Sequence, residues 1–217
     1  MSSVAPSSTG DQRITIRALS WDLYDRLSDA VGPRQAIYLA YDGKDLEIMT
    51  KGLYHEDHKD RAGKFVMNVS AIQGIRRRTL GETTWKRPEI ARGLEADQCY
   101  YFAPEKIAAD AAARARRSED IADYPNPDLA VEIDLSRSEI NRPAIYAALH
   151  VPEVWRFDGE DVVIEQLQPD GRYKPVAASQ FLPVTAAEIQ RWLVHEDYTD
   201  ELEFERRLTD WARGLSR

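Results

Sequence analysis

Two spacings of apolar residues organise this chain. From Pro127 to Leu135 the alternation is that of a strand, with Leu129, Val131, Ile133 and Leu135 on one side and Asp128, Ala130, Glu132 and Asp134 on the other. From about His55 to Leu80 the period is helical: Ala62, Phe65, Val66, Val69 and Ile72 share a stripe, and Gly81 is placed to end the helix. Ser20 reads as the N-cap of a short amphipathic helix over 21–27. Runs at 36–41 and 46–49, joined through Asp42-Gly43-Lys44, predict a hairpin.

Extended segments follow at 83–86 and 98–102. An alanine-rich charged stretch over 105–120 reads either as an exposed helix or as a mobile insertion. After the acidic strand, a helix over 141–149 leads into a strand over 153–157, an order that suggests a crossover connection. Strands at 162–167 and 173–178 come next. Thr185-Ala186-Ala187-Glu188 fits a capping box, and Leu208, Trp211 and Leu215 supply the seam of a terminal helix. The expected architecture is a mixed α/β (α+β) domain, its sheet flanked by helices. Its parts would be a disordered leader over 1–12, a main body over 13–195 and an acidic C-terminal helix over 196–217.

With 217 residues, 43% of them hydrophobic, the chain can bury a substantial core. No apolar run is long enough for a membrane span and the polar start does not read as a signal peptide, so a cytoplasmic location is the expectation. Cys99 is the only cysteine, which excludes intrachain disulfides and cysteine-rich zinc sites. The net charge of −8 is unevenly spread. Lys59 to Arg117 holds 13 Lys and Arg against 7 Asp and Glu, whereas Glu196, Asp197, Asp200, Glu201, Glu203 and Glu205 crowd the end.

An acidic row on an apolar strand is expensive to bury unless it is paired or holds a cation, although the plain alternative is a wet sheet face. Asp97 stands at the mouth of another extended run. An aspartate there and Glu132 on a neighbouring strand would offer two oxygen ligands, suited to a magnesium ion that keeps several waters and also meets a phosphate. Asp128 lies about 13 Å from Glu132 along an extended strand, so it either adds a more distant ligand or pins the strand through a local backbone bond. Asp134, about 7 Å away, could hold a second metal, a water or a nearby arginine.

The segments GLEADQCYYF, PDLAVEIDLS and NRPAIYAALHVPEVWRFDG, preceded by AYDGKDLEIM and His55-Glu56, resemble the Uma-two family of restriction-endonuclease-like proteins, within the PD-(D/E)XK nuclease superfamily. The resemblance runs from about Ala18 to Phe181. It implies a restriction-endonuclease-like mixed sheet between helices, a divalent metal (Mg2+ or Mn2+) and hydrolysis of phosphodiester bonds in nucleic acid, DNA in the first instance. Asp97 falls on the motif aspartate and Glu132 on the (D/E) position. Glu56 resembles a helix-borne acid that some members add, but a regular helix would turn it away from the apolar stripe while His55 and His58 fall close to it. The pattern departs at the lysine, since Asp134 follows Glu132-Ile133 and no lysine is close in sequence. Arg142, four residues before Tyr146, takes the basic position and is expected to face the scissile phosphate; it cannot serve as a proton acceptor.

Basic residues expected against a phosphate backbone are Arg76, Arg77, Arg78, Lys86 and Arg87, with Arg92, Arg114, Arg116 and Arg117 in reserve. Arg76 to Arg78 would equally serve as helix C-terminal cations. The function expected is a metal-dependent endonuclease, with a homodimer left open. The rivals are a nuclease-fold DNA-binding module without a competent lysine, and a scaffold that docks a partner through its acidic terminal helix.

Overall fold

The structure, a computed structural model, describes residues 10–32, 37–195 and 200–215. Along the first half run β1 (Gln12–Ile16), α1 (Trp21–Val31), β2 (Tyr38–Tyr41), β3 (Leu46–Thr50), α2 (Leu53–Ile72), β4 (Arg78–Arg87) and β5 (Arg92–Tyr101). Then come α3 (Pro104–Ala115), β6 (Leu129–Ile133), α4 (Arg142–Ala148), β7 (Glu153–Phe157), β8 (Val162–Leu167), β9 (Tyr173–Val176), α5 (Ala186–Gln190) and α6 (Glu201–Arg213). The strands make one mostly antiparallel open sheet in the order β1-β3-β2-β5-β6-β7-β8-β9, with β4 also on β5. Helices flank it, as in restriction-endonuclease-like folds.

Local chemistry accounts for most of these elements. The Asp42 carboxylate accepts from the backbone N–H groups of Lys44 and Asp45, and Gly43 takes φ +93°, closing the expected hairpin between β2 and β3. Asn141 and Thr185 cap α4 and α5, Thr185 within the reciprocal capping box. The β6–α4–β7 segment is the expected crossover, and β6 and β7 run parallel from Leu129 opposite Glu153 to Ile133 opposite Phe157.

Two expectations need correction and one open alternative is decided. Helix α2 ends at Ile72 rather than near Leu80, because Gly74, at φ +64°, turns the chain and lets the Ile75 N–H donate to the Ser70 carbonyl; residues 78–80 join β4 instead. The leader is not structureless up to residue 12, since Gln12–Ile16 pairs antiparallel with β3. Its outward isoleucines, Ile14 at 66% and Ile16 at 39% exposed, disguise it as coil. The stretch at 105–120 contains an ordered helix, α3, which buries Asp110 and Ala113. The leader residues 1–9, Ala36 and the acidic residues Glu196 and Asp197 lie outside the described residues.

Three hydrophobic clusters cover the sheet, one of them α1 on β2 and β3 and the other two on the faces of its middle. On one face, Phe65, Val66 and Val69 of α2 and Phe204, Leu208 and Ala212 of α6 meet Leu129, Val131, Ile133, Trp155 and Phe157. On the other, Ile145, Tyr146 and Leu149 pack on Ala130 and Val154. Strand β6 is therefore buried on both faces, so its carboxylate cannot be wet as the plain alternative supposed.

Candidate functional site

A bulge in β5 creates the site. Cys99 pairs with Gly81 of β4 and Ala96 with Thr83, so Asp97 and Gln98 together stand opposite the single residue Glu82. Side-chain alternation breaks there: Leu94 and Ala96 share a cluster with Cys99 and Tyr101, three residues on instead of two. On its other edge β5 pairs with β6 through Tyr100–Leu129, Cys99–Ala130 and Gln98–Val131. One step further the register sets Asp97 against Glu132, but there the strands part. The Asp97 carboxylate takes over the ladder, accepting from the Ile133 N–H at 2.7 Å.

Asp97 is 1% exposed. Its other oxygen lies 2.8 Å from His55 Nε2 and 2.6 Å from Lys51 Nζ. Burial alone would raise its pKa, but the His55 hydrogen bond and the charges of Lys51 and His55 hold it well below the usual carboxylate range. The second His55 nitrogen, Nδ1, meets Asp11 at 2.9 Å. A ring with a carboxylate on each nitrogen can donate to both only as imidazolium. Burial opposes that charge, but the bonds from Asp11 and Asp97 prevail and lift the His55 pKa to about 9. Lys51 is likewise raised, burial notwithstanding, by Asp97 and Glu82.

Glu132 is 2% exposed and accepts from the Tyr146 hydroxyl and from Arg142 Nη2, the latter at 2.5 Å. Burial pushes its carboxyl up to about 8; Arg142 pulls the other way, and the charges of Asp97 and Asp134 add to the rise. Beyond Arg142 lies Glu47 of β3, 3.6 Å from Nη1 and 2.6 Å from Arg13. Arg13 also reaches Asp134 at 3.2 Å. Asp11, Glu47, Asp97 and Glu132 thus face Arg13, Lys51, His55 and Arg142, with every one of these side chains at most 7% exposed. Four acidic side chains are paired with four basic ones, which is what makes so many buried ionisable groups tolerable.

The expected residues do not all converge. Asp97 and Glu132 stand on either side of the β5–β6 fork, each on its own partners, His55 and Lys51 for the first and Arg142 and Tyr146 for the second, and Asp134 meets Arg13 at the rim. Glu56 joins neither: its side chain is 43% exposed and pairs with Lys59, because the helix turns position 55 inward and position 56 outward. Arg142 does not stand open toward a substrate; the cost of leaving Glu132 alone in the core draws the guanidinium onto it. Asp128 sits at the far end of β6, where it accepts from the N–H groups of Phe102 and Ala103 and pairs with Lys106 at 2.6 Å.

Most of the expected phosphate-contacting cations are spent on structure. Lys86 bridges Asp25 and Asp29, Arg78 and Arg114 converge on Asp110, Arg116 meets Asp123, and buried Arg87 donates to the carbonyls of Ile121 and Tyr124. Arg76 is exposed and Arg77 half-buried. The terminal helix is not free either, since Phe204, Leu208 and Ala212 are buried against α2 and Glu201 pairs with Lys64 at 3.0 Å.

Sequence reasoning missed Lys51, Asp11, Glu47 and Arg13. No lysine is near Glu132 along the chain, and Lys51 arrives from the β3–α2 turn onto Asp97 instead. Only His55 left a signal, falling beside the apolar stripe of α2 when the helix is projected. The sequence model of the Uma2 family, described as "Putative restriction endonuclease", matches residues 21–193, and the chain belongs to that family. Comparison with curated proteins gives no match. Among the described residues no helix is long and apolar enough to cross a membrane.

Proposed function

We propose that this chain is a divalent-metal-dependent endonuclease that hydrolyses DNA phosphodiester bonds, with Asp97 and Glu132 as its paired carboxylates. The observation that carries this reading is the bulge that turns Asp97 toward the fork of β5 and β6, across from Glu132. The donors fit Mg2+ or Mn2+ in kind, being hard carboxylate oxygens. Among the described residues no group of three His, Cys, Asp or Glu side chains is arranged around one ion, so Asp97 and Glu132 would hold the metal and water would complete its shell. When bound, such an ion would lower the pKa of a water and offset charge on the phosphorus oxygens.

The chain's own groups have separable tasks. Arg142 remains charged at any working pH and, with Tyr146, fixes the orientation of Glu132. His55 and Lys51 hold Asp97 ionised. Glu132, with its pKa near 8, is the buried acid able to exchange a proton around neutrality. This reading takes the described body, α6 included, as one nuclease-like domain, because α2 and α6 share a cluster.

A second reading, a nuclease fold that binds DNA without cutting it, draws on one observation: both carboxylates are already engaged by Lys51, His55 and Arg142. Nicking of supercoiled plasmid with Mn2+, compared among the native protein, Asp97→Asn and Glu132→Gln, separates the two. Metal-dependent nicking lost in both variants is expected. Equal nicking in all three would overturn the assignment, and plasmid retention without nicking in the native protein would favour the binding module.

A further inference from the structure

Beside the paired carboxylates, two lysines and a tyrosine converge on a single oxygen atom. Lys51 Nζ lies 2.9 Å and Lys59 Nζ 2.7 Å from Glu82 Oε1, and the Tyr38 hydroxyl donates to the same atom at 3.1 Å. The Lys51 ammonium also rests over the Tyr38 ring, 3.2 Å from its centroid. The two ammonium groups are withdrawn from water, at 3% and 14% side-chain exposure, whereas the Glu82 side chain that receives them is 32% exposed. Glu82 is also the residue the regular ladder skips: it faces the Asp97–Gln98 bulge and follows Gly81, whose φ is +64°.

We propose that Lys51, Lys59 and the Tyr38 hydroxyl form a binding site for a phosphodiester group, and that Glu82 occupies it as an internal stand-in until the substrate arrives. A phosphodiester and a carboxylate each carry one negative charge, so the exchange leaves the charge balance of the region unchanged. Two ammonium groups and a hydroxyl are donors that a phosphate oxygen accepts as well as a carboxylate oxygen does. The Glu82 side chain is the exposed member of the trio, so water can solvate its carboxylate once it leaves the two lysines. Lys51 bonds Asp97 as well, which sets the phosphate next to the carboxylate pair. The identity of the polymer carrying that phosphate rests on the nuclease reading; the anion site itself does not.

The test uses the full chain in EDTA with two probes, dimethyl phosphate followed by phosphorus NMR and a short fluorescein-labelled DNA duplex followed by anisotropy. Glu82→Gln removes the carboxylate that both lysines share, leaving Glu56 on Lys59, and is expected to tighten both probes about three- to tenfold; Lys59→Met is expected to weaken both by a similar factor, and Lys59→Arg to restore them. Thermal melts of each variant exclude misfolding as the cause. If dimethyl phosphate responds as expected and the duplex does not bind, the phosphate site stands and the nucleic-acid reading falls. If the duplex binds but neither Glu82→Gln nor Lys59→Met changes it, or if dimethyl phosphate fails to saturate Glu82→Gln, the phosphate site is overturned.

Discussion

The parallel strands β6 and β7 carry a buried glutamate at each end, and the two are held by opposite means. Glu153, at the start of β7 and 0% exposed, accepts from neutral donors: the Trp155 indole at 2.7 Å, the Ser179 hydroxyl at 2.5 Å, the Gln166 amide at 3.0 Å and the Gln180 N–H at 2.9 Å. Glu132, near the end of β6, is held by an arginine and a phenol, with Asp97 across the fork and Asp134 two residues on. Neutral donors fix a carboxylate in place. Charged partners make it exchangeable, because what one cation does another cation, or a proton, can do. One end of the strand pair serves the architecture, and the other is where the proposed chemistry falls.

The sharpest way to break this contrast is to neutralise each glutamate in turn. Glu132→Gln should lower metal-dependent plasmid nicking by more than about 100-fold. Glu153→Gln should cost about 1–3 kcal/mol, seen as a Tm several degrees lower, while nicking per folded molecule stays within about twofold. Loss of nicking in Glu153→Gln at a temperature where it is fully folded would erase the distinction between the ends.

A gentler probe is pH. His55 has a folded pKa of about 9 against an ordinary 6.5, so its contribution is complete below 6.5 and disappears as pH rises through 9. Glu132 rises from an ordinary 4.5 to about 8, so the folded chain keeps a proton that the unfolded chain has shed, and stability declines between those values. Both effects have the same sign, and Tm should fall steadily from pH 6.5 to about 9.5. Glu132→Gln should flatten the lower part of that fall and His55→Gln the upper part, as read by calorimetry across pH. The smallest effect is expected at the far end of β6. Asp128→Asn gives up the partly exposed Lys106 pair and should cost about 1 kcal/mol or less, with nicking unchanged.

What was legible in the chain follows from how far apart the cooperating residues lie. The 42–45 turn, the capping box at Thr185 and the β6–α4–β7 crossover are written in contiguous residues, and each formed as expected. The end of α2 was misplaced because Gly74 and Gly81 are both credible stops, and only packing decides between them. The position of Asp97 depends on a bulge whose partner strand lies about fifteen residues earlier in sequence, and no local pattern announces a bulge. The cations around it come from positions 13, 51, 55 and 142, so their convergence is a property of the sheet order and of no single segment.

Asp11 has a practical consequence. Its carboxylate touches the Gly52 N–H at 3.0 Å and the imidazole of His55, and through that ring it steadies Asp97. An affinity tag or fusion partner joined close to residue 10 would tug on a tether that runs to Asp97 in two steps. A silent nicking assay on such a fusion would say more about where the tag was attached than about the proposed activity.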